Sequence, residues 1–157
     1  MTILSGETLV KADVVVMLQM DAPKDLHAFN EHLRNHMNGN FPRFKCRVLR
    51  AGSERLLMPI TDEAALASQF QVLSESMSQR EVEQFLSAQI DRGVNHDDAR
   101  ILSWLIPSKD DPSKVFLAQL SCHSVIDGIS RMQTFALMQD NEEDRELNPV
   151  PTPDRKQ

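Results

Sequence analysis

The clearest alternation of apolar and polar positions lies at the start of the stretch 115–130. Because alternate side chains of a strand point to opposite faces, residues 115–123 divide into two sets. One set is apolar throughout and comprises Phe116, Ala118, Leu120 and Cys122. The other set begins apolar and ends polar, and it comprises Val115, Leu117, Gln119, Ser121 and His123. We therefore predict a strand whose C-terminal end reaches a cleft, with His123 in the cleft and Cys122 in the core.

Other stretches have the apolar and β-branched character of strands or of extended chain. The turn residues 51–54 separate two of them and predict a hairpin. Residues 61–68 carry an ambiguous pattern that fits a short helix. The predicted strands and extended segments are 14–20, 41–50, 55–59, 69–74 and 101–106, and a turn-rich link, 107–113, precedes the final strand.

Three helices are predicted from apolar positions spaced three and four residues apart. The first begins at Asp21 and Pro23, as a capping carboxylate and a first-turn proline, and ends at Asn38-Gly39-Asn40. The second follows the capping box Ser78-Gln-Arg-Glu81 and stops at Gly93. The third covers 128–139. The buried stripe of the first helix is Leu26, Phe29, Leu33 and Met37, and that of the second is Val82, Phe85, Leu86 and Ile90.

This order of strands, helices and hairpins predicts an α/β or α+β class with a mixed β-sheet flanked by helices. The chain has 157 residues, which fits one domain with a sizeable core. We assign residues 1–140 to that domain. Residues 141–157 are acidic and then proline-rich, and we read them as a disordered tail or a linker.

The composition excludes several classes of function. The net charge is -6 and the pI about 5.3, with no basic patch interleaved with aromatic residues, so we expect no nucleic-acid partner. The N-terminal residues lack the basic-then-apolar pattern of a signal peptide, and no apolar run is long enough to cross a membrane, so we expect neither a signal peptide nor a membrane span. Two cysteines, Cys46 and Cys122, lie in apolar runs and give no disulfide framework. We expect reduced, buried thiols in a cytoplasmic protein.

The segment His123-Ser-Val-Ile-Asp127-Gly128 is the strongest candidate site. An imidazole titrates near neutral pH, so it can both take and return a proton. A carboxylate four residues later would fix the loop, and a glycine permits a tight turn from strand to helix. The alternative is a structural histidine at a strand end. Chemistry alone leaves both interpretations open.

The pattern His-x-x-x-Asp-Gly after an apolar strand and before an amphipathic helix resembles the His-His-x-x-x-Asp-Gly motif of the chloramphenicol acetyltransferase-like superfamily. That superfamily includes condensation domains and the wax ester synthase/diacylglycerol acyltransferases. Phe41-Pro-Arg-Phe-Lys-Cys-Arg-Val-Leu49 resembles the arginine-rich strand of the latter group. The segment 95–106, with Trp104, resembles its strand ahead of the motif, and the similarity covers most of 13–140.

The resemblance implies an activity and roles for three residues. His123 would be the general base that activates an alcohol or amine for attack on an acyl thioester of coenzyme A or of a carrier protein. Asp127 would shape the loop, and Gly128 would allow the turn. The acyl thioester and the acceptor are substrates, and no cofactor is expected to stay bound.

Two departures from the family pattern affect this interpretation. Cys122 stands where the family has its first histidine, and by the strand period it faces away from His123. Family members also have two similar halves, and this chain resembles only the N-terminal one. A missing half would leave an exposed apolar sheet face, so we expect either a homo-oligomer or a complementary C-terminal half as partner.

His32 and His36 lie one helical turn apart on one face, a spacing that could supply two ligands of a metal site. No third ligand is near them in sequence, so no metal is predicted there. His96 with Asp97 and Asp98 reads as a solvated loop. Two hypotheses of function remain. The chain is the motif-bearing half of a CoA-dependent O-acyltransferase, or it is a non-catalytic half-domain that serves as a binding or assembly module.

Overall fold

The computed structural model of the chain describes residues 13–51, 54–92 and 101–122. Within these ranges the chain forms strands, helices and one 3-10 helix, in the mixed order that the sequence predicts. The strands are β1 (Asp13–Asp21), β2 (Cys46–Ala51), β3 (Glu54–Pro59), β4 (Phe70–Val72), β5 (Ile101–Pro107) and β6 (Lys114–Cys122). The helices are α1 (Leu26–Asn40), α2 (Glu63–Ser68) and α3 (Gln79–Arg92), with the 3-10 helix at Pro42–Lys45.

Four of these strands form one mixed sheet in the order β1-β6-β5-β4. The strand β6 pairs antiparallel with both β1 and β5, whereas β4 runs parallel to β5. The helix α1 packs on one face of the sheet and α3 on the other. This architecture confirms the predicted class, an α/β fold with a mixed sheet flanked by helices.

The core consists of two clusters, one on each face of the sheet. On the α1 face, Leu33 and Met37 of α1 pack with apolar residues of β4, β5 and β6. On the α3 face, Val82 and Leu86 pack against Trp104 and the apolar face of β6. The rings of Phe85 and Trp104 meet edge to face with centroids 5.2 Å apart. Both predicted stripes are therefore confirmed, except that Ile90 is 42% exposed.

The predicted start of α1 at Asp21 is wrong. The helix begins at Leu26, and Asp25 caps it, because its carboxylate accepts hydrogen bonds from the backbone N–H groups of His27 and Ala28. Asp21 is instead the last residue of β1. It lies opposite Lys114 in the sheet, and its Oδ1 is 2.6 Å from the Lys114 ammonium.

The predicted end of α1 at Asn38-Gly39-Asn40 is confirmed, since Asn40 is the last residue of the helix, but Gly39 lies inside the helix and does not itself stop it. The N–H of Phe41 donates to the carbonyl of Met37 at 2.9 Å, so the ladder of hydrogen bonds continues past Gly39. The expected extended segment 41–50 is likewise interrupted by the 3-10 helix at Pro42–Lys45. Phe44 in that helix is 1% exposed and stacks with Phe41, which explains the local winding.

The predicted hairpin is confirmed, and it forms a separate two-stranded sheet. The strands β2 and β3 pair antiparallel from Cys46↔Pro59 to Ala51↔Glu54. The ambiguous residues 61–68 contain α2, capped by the carboxylate of Asp62. The strand expected over 69–74 is shorter, since β4 covers only Phe70–Val72.

The capping box of α3 is confirmed in both directions. The carboxylate of Glu81 accepts from the Ser78 backbone N–H at 2.7 Å and from its hydroxyl at 2.8 Å. The Glu81 N–H donates to Ser78 Oγ at 3.3 Å. The helix ends at Arg92, directly before Gly93, which lies outside the described residues.

The predicted surface and thiol properties have mixed outcomes. Among the described side chains, the exposed large hydrophobic residues are Leu18, Met58 and Ile90, on three different elements, so this part of the chain shows no broad apolar sheet face.

Cys46 is half-buried rather than buried, and its thiol is free. None of the helices in the described ranges has the length and apolar character needed to cross a membrane.

Candidate active site

The candidate motif follows β6 in sequence, and β6 is an interior strand of the four-stranded sheet. Its neighbours are β1 on one side and β5 on the other. Near its C-terminal end, Ser121 lies opposite Val14 of β1 and Ile101 of β5. His123 is the next residue in sequence after Cys122, the last of β6. His123, Asp127, Gly128 and the predicted helix 128–139 lie outside the described residues, so their roles stay predictions.

The α1 face of β6 turns polar towards that end, as the alternation predicts. Val115 and Leu117 belong to the apolar cluster beneath α1. Gln119 and Ser121 follow, and they are 1% and 0% exposed. The Gln119 amide nitrogen lies 3.4 Å from Ser103 Oγ and 3.9 Å from the Met37 sulfur. At Gln119 and Ser121 this face is therefore covered by protein and does not form the wall of an open cleft.

The α3 face of β6 stays apolar as far as Leu120, which confirms the prediction for the described side chains of that face. Phe116, Ala118 and Leu120 are each at most 1% exposed. They pack with Val82 and Leu86 of α3. The two faces of one strand are thus equally buried but differ in polarity over the last residues before the motif. The side chain of Cys122 lies outside the described residues.

Gln69, whose burial was not predicted from the sequence, links β5 to the 3-10 helix. Gln69 is fully buried, and its amide nitrogen donates to the Phe44 carbonyl at 2.9 Å. The backbone carbonyl of Gln69 accepts from the Ser103 backbone N–H at 2.7 Å. A polar path therefore runs from the 3-10 helix through Gln69 to Ser103 and then to Gln119. The sequence predicts only that Gln69 begins the strand 69–74, and it carries no signal that this side chain is buried.

The histidines on α1 do not assemble a metal site within the described residues. The rings of His32 and His36 stack with centroids 6.2 Å apart. The side-chain amide of Asn40 lies 3.4 Å from the ring nitrogens of His36 and donates to its carbonyl at 2.9 Å. No group of three potential ligands occurs anywhere in 13–51, 54–92 or 101–122. His96, Asp97 and Asp98 lie outside these ranges.

The perturbed titrations of the described residues lie away from the C-terminal end of β6. Hydrogen bonds from the backbone and the hydroxyl of Ser78, with Lys109 nearby, lower the pKa of Glu81 from 4.5 to about 2. Hydrogen bonds from Ser113 lower the pKa of Asp111. The carboxylate of Asp21 raises the pKa of Lys114, which begins β6 at the opposite end from the motif. These groups hold caps, turns and strand ends in place.

No protein-family model matches the chain, and no curated protein matches its sequence. Solved structures do match it. The wax ester synthase/diacylglycerol acyltransferase from Marinobacter aquaeolei VT8 is 21% identical with a TM-score of 0.60, over 81% of this chain and 33% of that one. The X-domain from teicoplanin biosynthesis is 12% identical with a TM-score of 0.65, over 80% of this chain and 26% of that one.

A third match is the first condensation domain of the calcium-dependent antibiotic synthetase, solved with a substrate analogue. It is 17% identical with a TM-score of 0.62, over 80% of this chain and 32% of that one. The chain therefore has the fold of one part of the condensation-domain and CoA-acyltransferase type. This confirms, for the fold, the resemblance carried by the motif at His123. The chain spans about a third of the length of these solved proteins.

Proposed function

We propose that this chain is the motif-bearing half of a CoA-dependent acyltransferase that transfers an acyl group from a thioester to an alcohol, with His123 as general base. The observation that carries the proposal is the fold, which is shared with a wax ester synthase and with condensation domains. The motif supports it, since His123 follows directly in sequence on the interior strand β6.

The proposed reaction needs one group that holds a proton and returns it. The imidazole of His123 takes the proton of the acceptor hydroxyl, and the oxygen forms a bond to the thioester carbonyl carbon. The carbon–sulfur bond then breaks, and the imidazolium returns the proton to the leaving thiolate. A pKa near neutrality suits a group that must do both. Asp127 would hold the loop, and Gly128 would permit its turn.

The length of the chain bears on how such a site would be completed. The chain corresponds to about a third of its structural neighbours, so we propose that a second copy or a complementary half supplies the rest. At micromolar concentration we expect either a mass of two or more chains or a stable complex with the complementary half. The cytoplasmic location stays a prediction from the sequence.

The second candidate function is a non-catalytic half-domain that acts as a binding or assembly module. The observations that favour it are Cys122 in place of the first histidine of the motif and the partial coverage of the neighbours. Such a chain would keep the fold and bind an acyl thioester or a partner chain without turnover.

Release of free thiol from an acyl-CoA donor, with and without an alcohol acceptor, separates the two functions. The catalytic proposal expects thiol release that depends on the alcohol and falls about 10²- to 10⁴-fold in His123→Ala. His27→Ala is the matched control, because His27 is an exposed histidine on α1. Binding of the donor without alcohol-dependent release would favour the binding module instead.

A further inference from the structure

Three cations occupy alternate positions where the 3-10 helix meets β2. Arg43, Lys45 and Arg47 are exposed, whereas Phe44 between them is buried and Cys46 is half-buried. This alternation turns the three cationic side chains outward from one short stretch of backbone. Four peptide units separate the first cation from the last, so their Cα atoms lie at most about 15 Å apart. We call these three side chains the basic strip.

No ion pair within the described residues neutralises the basic strip. The ion pairs of those residues are Arg34–Glu31, Lys109–Glu81 and Lys114–Asp21. The backbone beneath the strip is nevertheless fixed, because the Gln69 side chain donates to the Phe44 carbonyl and the Ile60 N–H donates to the Lys45 carbonyl at 2.6 Å. The strip carries +3, so in a chain of net charge -6 the remainder carries -9. A fixed cluster of positive charge therefore stands in an acidic chain.

The densest acidic stretch of the chain is 140–146, which lies outside the described residues. It holds five anions and the single cation Arg145, a net charge of -4 in seven positions. Every stretch of seven residues that does not overlap it holds at most two anions. We call 140–146 the acidic segment, and its charge is opposite to that of the basic strip and similar in size. Its anions are Asp140, Glu142, Glu143, Asp144 and Glu146.

The acidic segment has enough chain before it to reach the basic strip. Residues 123–139 separate it from β6, and they span about 55 Å when extended or about 35 Å with 128–139 as the predicted helix. A compact domain of this size has a radius of gyration of about 15 Å. Contacts from Gln119 through Ser103 and Gln69 also join β6 to the base of the strip. The length of the connection therefore permits the contact within one chain.

We propose that the acidic segment docks on the basic strip of the same chain. Carboxylates match the paired donors of a guanidinium group, and the strip presents two such groups beside an ammonium. A single exposed ion pair is weak, but the connecting chain raises the local concentration of the segment to roughly the millimolar range, so several pairs act together. A separate acidic protein or an anionic membrane would instead meet the charge of -9 on the remainder of the chain. The contact would hold the chain after the predicted helix 128–139 against the 3-10 helix and β2.

Carbodiimide coupling of the whole chain tests the contact directly, because the reagent joins a lysine amine to a carboxylate that touches it. Lys45 is the lysine of the basic strip, and Lys24, exposed ahead of α1, is the control. We expect peptide mass spectrometry to find Lys45, but not Lys24, coupled to the acidic segment. In about 1 M salt, where the screening length is about 3 Å, the Lys45 product should fall about ten-fold.

Variants that keep Lys45 show whether the coupling depends on the whole strip. Arg43→Gln/Arg47→Gln should lower the Lys45 product at least about five-fold, because two of the three charges are gone. Arg80→Gln, at an exposed arginine on α3, is the matched control and should leave the product unchanged.

Tryptic cleavage within the acidic segment gives a second readout, because a docked segment is protected. Cleavage after Arg145 should be about two- to five-fold faster in the double variant than in the wild type. Cleavage after Arg155, which lies beyond the segment, should proceed at the same rate in both proteins. Equal rates after Arg145 in the two proteins would contradict the docking.

The proposal is overturned if Lys45 does not couple to the acidic segment, or if the double variant couples as well as the wild type. Coupling of Lys45 to Asp62 or Glu63 at the start of α2, in place of the segment, would assign the strip to a local ion pair and also overturn it. A mixture of isotopically light and heavy chains separates contacts within one chain from contacts between chains. A product that joins a light to a heavy chain would assign the contact to a second copy and reject docking within one chain. None of these measurements requires acyl transfer, so their outcome is independent of the proposed function.

Discussion

On the face of β6 that packs against α3, the side chains are apolar from Phe116 to Leu120, whereas the face beneath α1 ends in Gln119 and Ser121. Both faces are buried to a similar degree, so the difference is chemical. Burying polar groups costs free energy unless strong hydrogen bonds replace water. The contacts of the Gln119 amide, at 3.4 and 3.9 Å, are long. Stability alone would favour apolar residues on both faces.

We propose that one strand serves two purposes. Its α3 face holds the fold together, and we infer that its α1 face keeps polar groups because the strand continues towards His123. The interior position of β6 joins the two roles, since the same pairing to β1 and β5 fixes both faces. Substitutions on each face of β6 can therefore test whether stability and activity depend on different side chains.

The largest effect on stability is expected at Phe116, on the apolar face. Phe116→Ala should lower the free energy of unfolding by about 3–5 kcal/mol, because it removes a 1% exposed ring and leaves a cavity. Urea denaturation measures the change. Gln19→Ala is the control, because Gln19 lies directly opposite in the register but is exposed, and it should stay within about 0.5 kcal/mol. A loss below about 1 kcal/mol for Phe116→Ala would mean that this face does not carry the fold.

A smaller stability change is expected on the polar face, with a larger change in activity. Gln119→Leu combined with Ser103→Ala removes both partners of a long contact, so stability should change by no more than about 1 kcal/mol in either direction. The rate of alcohol-dependent thiol release should nevertheless fall. If the free energy of unfolding of the double variant fell by more than about 3 kcal/mol, the polar pair would be structural. Both faces of β6 would then contribute to stability in the same way.

The cap of α3 should give the smallest effect, and that effect depends on pH. The folded-state pKa of Glu81 is about 2, below its ordinary value of 4.5. The unfolded chain therefore binds more protons, so the contribution of Glu81 is present above pH 4.5 and is lost as the pH falls towards 2. Glu81→Gln should lack this part of the acid dependence in urea denaturation.

Substitution of the capping serine tests the cause of the Glu81 shift. In Ser78→Ala the hydroxyl donor is lost, so a carboxyl NMR titration should show the Glu81 pKa moving up towards 4.5. Loss of the cap should also cost about 1 kcal/mol of stability. Ser74→Ala, at a nearby exposed serine, is the control and should leave the titration unchanged. An unmoved Glu81 pKa in Ser78→Ala would mean that the hydroxyl does not contribute, and it would assign the shift to the backbone N–H of residue 78 and to Lys109.

Features set by local periodicity could be predicted from the sequence. The two faces of β6, the stripe of α1 and the capping box at Ser78 follow from the spacing of residues within one element. The hairpin follows from two extended runs around a turn. The motif at His123 led to the fold that the solved structures share, because the sequence pattern combines an apolar strand, a histidine and an Asp-Gly pair in fixed order.

Features set by distant contacts could not be predicted. Asp21 reads as a helix cap, yet its carboxylate meets Lys114, 93 positions further along the chain. Gln69 was predicted only as the start of a strand, yet it is fully buried and its side chain donates to the Phe44 carbonyl, 25 positions earlier in the chain. The parallel pairing of β4 with β5 also depends on packing between elements that are far apart in sequence. For the site, the sequence identified His123 but not the polar path that leads to Gln119.

The most direct test of the central claim is the pH dependence of alcohol-dependent thiol release in wild type and His123→Ala. If His123 is the base, the wild-type rate rises with pH through a single titration about the histidine range, near 6.5. In His123→Ala the rate should be about 10²- to 10⁴-fold lower, and that titration should be gone. Equal rates with the same pH profile in both proteins would contradict the assignment of His123 as the base.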